Sequence, residues 1–190
     1  VIVMSNPWDI LILGCGRLGG NLKTELETEK LRVLGVRRSQ VKKDASFLSL
    51  DLDLPESWNR LAKLPLSQNV VIVAVVTPDA RTEDAYRKRY VGISVRLRYF
   101  ASLPGRGYRV VWVSSTAVFG QNQTGLLDES VLPMPDHWRG ALVREAEDNI
   151  AETQAKTTVL RLAGLYTAQS LNLLRDPEMR KKLNPESVSN

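Results

Sequence analysis

Six short apolar runs recur along the chain, and longer stretches of mixed character separate them. Most of the runs are continuously apolar and rich in β-branched residues, as in 70–76 and 110–113. Continuous runs of this kind indicate strands buried on both faces, which is typical of a parallel sheet covered by helices. The predicted strands are Asp9–Gly14, Arg32–Val36, Ser46–Leu50, Val70–Val76, Arg109–Ser114 and Thr157–Leu162.

The stretches between these strands carry apolar residues at helical spacing. Leu18, Leu22 and Leu26 recur four residues apart and predict a helix with one buried face. The alternation of strands and helices predicts an α/β fold of Rossmann type, a doubly wound parallel sheet with helices on both faces. Further helices are predicted over about 55–64, 80–102 and 137–153.

The length and composition are those of one globular domain. The chain has 190 residues, 43% of them hydrophobic, which allows a sizeable core. No apolar run approaches the roughly 18 residues that cross a membrane, and the start has no signal-peptide pattern. A single cysteine, Cys15, and a single histidine, His137, exclude an internal disulfide and leave no metal cluster. We therefore expect a cytoplasmic protein without a membrane partner or a metal site.

The formal net charge of +5 makes a nucleic acid a candidate partner. The basic residues are spread along the chain, however, and aromatic residues are not interleaved with them as in RNA-binding motifs. We expect no nucleic-acid partner, and we interpret most of these residues, including Arg87–Arg89, as solvated faces. We interpret one further basic pair, discussed below, as a partner of a cofactor phosphate.

A glycine-rich turn follows the first predicted strand directly and opens the first predicted helix. The segment 14–19 reads G-C-G-R-L-G, which is the dinucleotide-binding fingerprint in its required context. Its first glycine allows the sharp turn, the second lets the backbone approach a pyrophosphate, and the third lets the helix pack close to the strand. The alternative is that the glycines serve a tight turn only. The predicted pyrophosphate-binding residues are Gly14, Gly16, Arg17, Leu18 and Gly19, with Arg17 and Leu18 contributing backbone N–H groups.

The end of the second predicted strand bears on the choice of cofactor. NAD sites usually place Asp or Glu there, where the carboxylate accepts hydrogen bonds from the ribose 2′-hydroxyl. This strand ends in Arg37 and Arg38, and the first carboxylate after it is Asp44. Two guanidiniums suit a 2′-phosphate better than a hydroxyl, so the sequence predicts NADP, with NAD as the alternative. The other interpretation is that both arginines are surface residues.

The segment 113–120 reads V-S-S-T-A-V-F-G, and it resembles the end of the fifth strand in the NAD(P)-dependent epimerase/dehydratase group of extended and atypical short-chain dehydrogenases/reductases. The segments 51–53 and 158–166 and the helix over 80–102 are also similar, so the resemblance covers about 9–166. It implies that Asp51 bonds the adenine amino group and that Ser115 occupies the position of the catalytic serine. It also implies a homodimer through the 80–102 helix, unless that apolar stripe only packs on the sheet.

The chain departs from the family where the family carries its proton-transfer residues. The family usually follows its serine with a tyrosine and, four residues later, a lysine that lowers the tyrosine pKa. Alignment on Glu147 places Arg139 and Val143 at these two positions, and no other Tyr-x-x-x-Lys stands nearby. His137 could titrate near neutral pH and act as acid or base, although a histidine here is more often a helix-start or surface residue.

The resemblance also predicts the domain organisation. Family members carry a substrate domain after the sixth strand, but only 24 residues follow Tyr166 here. We predict an NAD(P)-binding Rossmann domain over 1–166 and a short C-terminal tail over 167–190 that is the remnant of a substrate domain.

Three functions remain open at this stage. The first is an oxidoreductase or sugar-nucleotide epimerase that transfers a hydride near Ser115, with an unknown small-molecule substrate. The second is a non-catalytic NADP-binding sensor or regulatory module, and the third is a structural remnant that no longer binds a cofactor. The predicted catalytic residue is Ser115, and the predicted cofactor-binding residues are Gly14, Gly16, Arg17, Leu18, Gly19, Arg37, Arg38, Asp51, Thr77 and Ser114.

Overall fold

A computed structural model describes residues 6–39 and 44–167, in which strands and helices alternate. The strands are β1 (Trp8–Leu13), β2 (Val33–Arg37), β3 (Phe47–Ser49), β4 (Leu66–Ala74), β5 (Gly107–Ser115) and β6 (Lys156–Leu162). The helices are α1 (Arg17–Thr28), α2 (Pro55–Ala62), α3 (Glu83–Tyr86), α4 (Gly92–Phe100) and α5 (Trp138–Ala151). All six strands form one parallel sheet in the order β3-β2-β1-β4-β5-β6. The predicted doubly wound Rossmann fold is confirmed.

The six predicted strands are all present, and β4 is longer than predicted. It begins at Leu66 rather than Val70, because Leu66 still pairs with β1 and Asn69 pairs with β5. Leu66 stands opposite Trp8, and the Ser67 hydroxyl donates to the Trp8 carbonyl at 3.0 Å. The register then shifts between Trp8 and Ile10. An apolar pattern cannot reveal a strand segment that is held by such polar contacts.

The predicted helix over 80–102 is divided into three segments. α3 leads into a π-helical segment, Arg87–Val91, and α4 follows it without a break in the chain. A π-helical turn contains an additional residue and is frequently found at functional sites. Arg89 lies within this segment and is buried. The interpretation of 87–89 as a solvated face is therefore wrong for Arg89.

Helices cover both faces of the sheet. On one face α2, α4 and α5 enclose the larger core, in which Trp112 and Leu97 are fully buried. On the other face α1 packs Leu22 and Leu26 against β1 and β2. Leu18 was predicted in the same buried stripe but is 38% exposed, because it stands at the helix start beside a cavity. Each fully buried large apolar side chain contributes about 1.5–3 kcal/mol to folding.

Much of the apolar stripe of the 80–102 helix packs into the core of its own chain. Ile93, Leu97 and Phe100 are buried in the larger core, and the Phe100 ring lies 5.8 Å from that of Trp58. The interpretation that the stripe packs on the sheet therefore holds for these three residues, and the homodimer stays a prediction.

The predictions on membrane helices, metal sites and the C-terminal tail can be compared with the described residues. Within 6–39 and 44–167, no helix is both long and apolar enough to cross a membrane. In the same ranges no group of three or more His, Cys, Asp or Glu residues is placed to hold a metal ion. The predicted C-terminal tail lies outside the described residues from 168 onward.

Candidate functional site

Two cavities meet at the carboxyl edge of the sheet, where the strand order changes direction between β1 and β4. In open α/β sheets ligands bind in the crevice at this switch point. The first cavity, of about 540 Å³, extends toward the ends of β2 and β3, and the second, of about 470 Å³, extends toward β5 and β6. Gly14, Gly16 and Thr77 line both cavities. An elongated ligand with two ends could therefore cross the turn from one cavity to the other.

The glycine-rich turn has the geometry that its three glycines predict. Gly14 has a left-handed φ of +88°, and a Cβ there would lie 2.1 Å from the Val75 carbonyl oxygen. A Cβ on Gly19 would lie 2.8 Å from the Gly14 carbonyl oxygen, so this glycine allows α1 to approach the strand closely. A Cβ on Gly16 would meet nothing within 4 Å. Open space therefore lies next to the backbone where a pyrophosphate is expected.

The start of α1 presents backbone N–H groups at this turn. The helix begins at Arg17, and the residue before it, Gly16, has no side chain that could cap the helix. The first N–H groups of a helix have no acceptor within the helix, and the helix dipole favours an anion beside them. Arg17 and Leu18 both line the second cavity. The arrangement is suited to a phosphate group.

Arg37 and Arg38 both line the first cavity, but their side chains have different neighbours. The Arg37 guanidinium lies 5.1 Å from the centre of the Phe47 ring, and its Nε is buried without a hydrogen-bond partner among the described residues. Arg38 donates two hydrogen bonds to the Asp79 carboxylate, at 2.7 and 2.6 Å. Of the two predicted phosphate-binding arginines, one is therefore stacked on a ring and the other is already paired with an acid.

A network of charges continues from Asp79 along the wall of the first cavity. The buried Arg89 guanidinium donates to Asp79 at 3.1 Å and lies 3.1 Å from the carboxylate of Asp53. The Lys88 ammonium lies 2.9 Å from the other oxygen of that carboxylate. The hydrogen bonds from Arg38, and to a smaller extent those from Arg89, lower the pKa of Asp79 to about 2. Asp79 is therefore ionised throughout the range in which proteins function.

Asp51, the predicted adenine contact, belongs to this network rather than to the cavity lining. Its carboxylate accepts a hydrogen bond from the Asp53 backbone N–H at 3.0 Å and lies 3.9 Å from Arg89. Its neighbours Leu50 and Leu52 line the first cavity, whereas Asp51 stands beside it. The structure thus brings Asp51 close to the predicted adenosine end.

In the second cavity the two predicted serines have separate surroundings. The Ser114 hydroxyl is buried and donates to the Glu147 carboxylate of α5 at 2.6 Å, so it is directed into the protein. Glu147 also accepts hydrogen bonds from Arg161 at 2.9 Å and Arg144 at 3.3 Å. Ser115 is half-buried, and its Oγ accepts a hydrogen bond from the Ala117 N–H at 3.2 Å. Both serines line the cavity, but only the Ser115 hydroxyl is outside the buried network.

The positions of the family's tyrosine and lysine carry side chains with structural surroundings. Val143 is buried among apolar residues that include Val118 and Phe119. The Arg139 guanidinium lies 5.2 Å from the Trp138 ring, and its Nε is buried without a partner in the described part of the chain. The lining of the second cavity includes neither residue. No tyrosine–lysine pair therefore faces Ser115 from these positions.

His137, the other candidate acid or base, caps α5. Its Nδ1 accepts a hydrogen bond from the Arg139 backbone N–H at 3.2 Å, and the ring is exposed outside the cavity lining. The helix-start interpretation of this histidine is the one that the structure bears out.

The sequence did not point to three residues that lie in the cavity walls or next to them. Asp79 and Arg89 belong to the charge network, and Tyr90 lines the second cavity. Burial, with a smaller contribution from Tyr86, raises the pKa of Tyr90 to about 12, so its hydroxyl stays protonated. No local motif marks these residues. Only the π-helical segment, which the sequence did not predict, brings Arg89 and Tyr90 to this edge of the sheet.

Solved structures with this fold are similar over most of the chain. A protein from Methylobacillus flagellatus described as an NAD-dependent epimerase/dehydratase is 26% identical, with a TM-score of 0.72 over 93% of this chain and 62% of its own. MoeE5, solved with UDP-glucose and NAD, is 23% identical, with a TM-score of 0.70 over 90% of this chain and 61% of its own. A short-chain dehydrogenase/reductase superfamily protein from Agrobacterium tumefaciens with bound NAD is 20% identical, with a TM-score of 0.68 over 81% of this chain and 48% of its own.

The chain thus spans less than two thirds of the length of these structural relatives. Comparison with curated proteins gave no match. The resemblance to the epimerase/dehydratase group that the sequence indicated is confirmed. The family model of the RmlD substrate binding domain matches residues 8–187, which is nearly the whole chain, and the protein therefore belongs to that family.

Proposed function

We propose that this chain binds a nicotinamide dinucleotide, NADP in preference to NAD, across the two cavities that meet at its glycine-rich turn. The observation that carries the proposal is the open space at Gly16 between these cavities, beside the uncapped start of α1. The pyrophosphate would lie against the N–H groups of Arg17 and Leu18. The NAD found in MoeE5 and in the Agrobacterium tumefaciens protein is consistent with this class of ligand.

The two ends of the ligand would occupy the two cavities. The adenosine would enter the first cavity, between the ends of β2 and β3 and near Asp51. The nicotinamide would enter the second cavity, near Ser115, with Thr77 at the boundary between the two. In this arrangement Ser114 supports the cavity wall through its bond to Glu147, and the Ser115 hydroxyl is the one that could face a bound molecule.

The preference for NADP rests on Arg37. Arg37 lines the first cavity, and its guanidinium stacks on Phe47 and forms no ion pair or hydrogen bond within the described part of the chain. A guanidinium held beside the ribose binds a 2′-phosphate strongly, because the charges are opposite and the hydrogen bonds can be bidentate. A ribose 2′-hydroxyl would be a much weaker partner for it. Arg38 would add a second cation once released from Asp79.

We propose binding without rapid turnover as the function. When bound, a nicotinamide supplies or accepts a hydride, and a carbonyl substrate then needs a group that moves a proton. Val143 and Arg139 do not line the second cavity, and the high pKa of Tyr90 makes this hydroxyl a donor and a poor base. A non-catalytic NADP-binding sensor or regulatory module is therefore our first choice. An epimerase or oxidoreductase that uses Ser115 is the second, because Ser115 still lines the cavity.

The first experiment measures the melting temperature of the chain with NADPH, NADP, NADH and NAD. A ligand that binds the native state must stabilise it, by about 2.7 kcal/mol at a concentration one hundred times its dissociation constant. We expect a clear shift with the phosphorylated dinucleotides and a smaller one with the others. No shift at saturating concentration of any of them would indicate the structural remnant and contradict the proposal.

The double variant Arg37→Asp, Arg38→Ala tests the cofactor preference. It should weaken NADP binding at least tenfold more than NAD binding, since two charge-assisted contacts would be lost from the 2′-phosphate alone. The matched control is Arg109→Asp, Arg106→Ala, which makes the same change in net charge at a cavity on the opposite edge of the sheet. Equal losses for NADP and NAD would refute the assignment.

A screen for turnover separates the two candidate functions. Carbonyl compounds and sugar nucleotides would be incubated with the chain after it has bound NADPH or NADP. The absorbance of the nicotinamide would be followed over time to detect hydride transfer. Tight binding without turnover supports the regulatory module. Turnover that disappears in Ser115→Ala supports the enzyme.

A further inference from the structure

Asp79 lies in the loop after β4, and its carboxylate forms an ion pair across the end of β1. Its partner Arg38 follows β2, and β1 stands between β2 and β4 in the sheet. Neighbouring strands are about 4.8 Å apart, so the two loops that this ion pair joins are separated by two strand spacings. Arg38 lines the first cavity and Asp79 lies beside it, so the pair joins the two loops next to Gly14, which follows β1. We call this ion pair the Arg38–Asp79 clasp.

From this geometry we infer that Asp79 limits the preference for NADP over NAD by competing with the 2′-phosphate for the Arg38 guanidinium. The inference rests on the proposed function and names a specificity-determining residue of the same site. Arg38 uses two nitrogens to hold both Asp79 oxygens, at 2.7 and 2.6 Å. A phosphate would use the same fork of donors, so the guanidinium cannot bind both groups bidentately at once.

Asp79 would keep a positive partner after Arg38 left it. The Arg89 guanidinium donates to Asp79 Oδ2 at 3.1 Å and is itself held 3.1 Å from the Asp53 carboxylate. Since Arg89 is buried and fixed in this way, it remains beside Asp79 whichever partner Arg38 selects. Opening of the clasp therefore leaves the Asp79 carboxylate with a cationic neighbour.

The clasp is also weak enough to be exchanged. The side chains of Arg38 and Asp79 are 52% and 51% exposed, and ion pairs that are this open to water contribute little to stability. A phosphate carries more negative charge than a carboxylate and would attract Arg38 more strongly. NAD has no 2′-phosphate, so its binding leaves the clasp closed. Asp79 should thus weaken the binding of NADP alone.

Titration calorimetry of four proteins tests this inference: the wild-type chain, Asp79→Asn, Arg38→Ala and the double variant. Asp79→Asn keeps the size of the side chain and removes its charge. We expect it to tighten NADP binding about fivefold, the effect of one exposed ion pair, and to leave NAD binding within about twofold. In the Arg38→Ala background the same substitution should have no effect on NADP, because the competition is for Arg38.

Asp84→Asn is the matched control, since it removes the same charge from an exposed residue of α3 that has no ion pair in the described part of the chain. It should leave the ratio of the two affinities unchanged. The inference is overturned if Asp79→Asn does not tighten NADP binding, if it tightens both dinucleotides equally, if the control has the same effect, or if the gain persists without Arg38. A wild-type chain that binds neither dinucleotide overturns the proposed function as well, whereas any of the other outcomes overturns this inference alone.

Discussion

The first and second cavities share a turn but differ in their walls. Around the first cavity, charged side chains from two loops and the π-helical segment pair with one another, through Arg38, Asp79 and Arg89. The second cavity is lined mainly by hydroxyl and apolar side chains, with Arg17 as the one charged residue among those described, and its acidic neighbour Glu147 is buried behind Ser114. The geometry that we propose for dinucleotide binding therefore stands beside a region in which Arg139 and Val143 occupy the positions of the family's tyrosine and lysine. The backbone turn and the reactive side chains are supplied by different parts of the chain.

Gly14→Ala should have the largest effect, because it disturbs the turn that both cavities share. The new Cβ would meet the Val75 carbonyl oxygen at 2.1 Å, in a backbone conformation that alanine rarely adopts. We expect a loss of about 3 kcal/mol in the free energy of unfolding, measured by urea denaturation. Gly16→Ala is the control: its Cβ has open space, so stability should stay near that of the wild type while dinucleotide binding falls. Equal stability of both variants would show that the turn is not strained at Gly14.

Glu147→Ala should have the next largest effect and should act on the wall of the second cavity alone. It removes a buried carboxylate that pairs with Arg161 and accepts from Ser114. Breaking a fully buried ion pair costs about 3–5 kcal/mol, and since Arg161 is partly exposed we expect about 2 kcal/mol here. Asp148→Ala removes the adjacent exposed carboxylate and should cost less than about 1 kcal/mol. Urea denaturation of the two variants checks this difference, and equal losses would mean that burial of Glu147 is unimportant.

Ser114→Ala and Ser115→Ala should have small and contrasting effects. Loss of the Ser114 hydroxyl removes a buried hydrogen bond and should cost about 1 kcal/mol, with no change in dinucleotide affinity. Ser115→Ala removes a turn contact to Ala117 at a half-buried site and should cost about 0.5 kcal/mol. Thermal denaturation and calorimetric titration would be compared for the pair. A drop in affinity on Ser114→Ala alone would reverse the roles assigned to these serines.

The parts of the fold that could be predicted are those that depend on residues close together in the sequence. Continuous β-branched runs predict buried parallel strands, and the six strands follow. The glycine spacing predicts a turn of known shape, and the open space at Gly16 agrees with it. The missing tyrosine and lysine are equally visible, because the family motif is short and Glu147 is a clear reference point.

The neighbours of Arg37 and Arg38 could not be predicted, although the two residues are adjacent in the chain. Arg37 is the last residue of β2 and stacks on Phe47 of the neighbouring β3, while Arg38 begins the loop after β2 and reaches a carboxylate 41 residues away. Only the strand order brings the loops after β2 and β4 together. The burial of Arg89 likewise depends on the π-helical segment, whose additional residue leaves no recognisable pattern of apolar positions.

The architecture and the position of the glycine-rich turn can be read from the chain alone, because the spacing of apolar residues and the backbone freedom of glycine act over a few residues and need no distant partners. Which charged side chains pair, and so which arginine is available to a ligand, depends on the folded sheet. Ion pairs depend on distances between loops that are far apart in sequence, and such distances exist only after the sheet has formed.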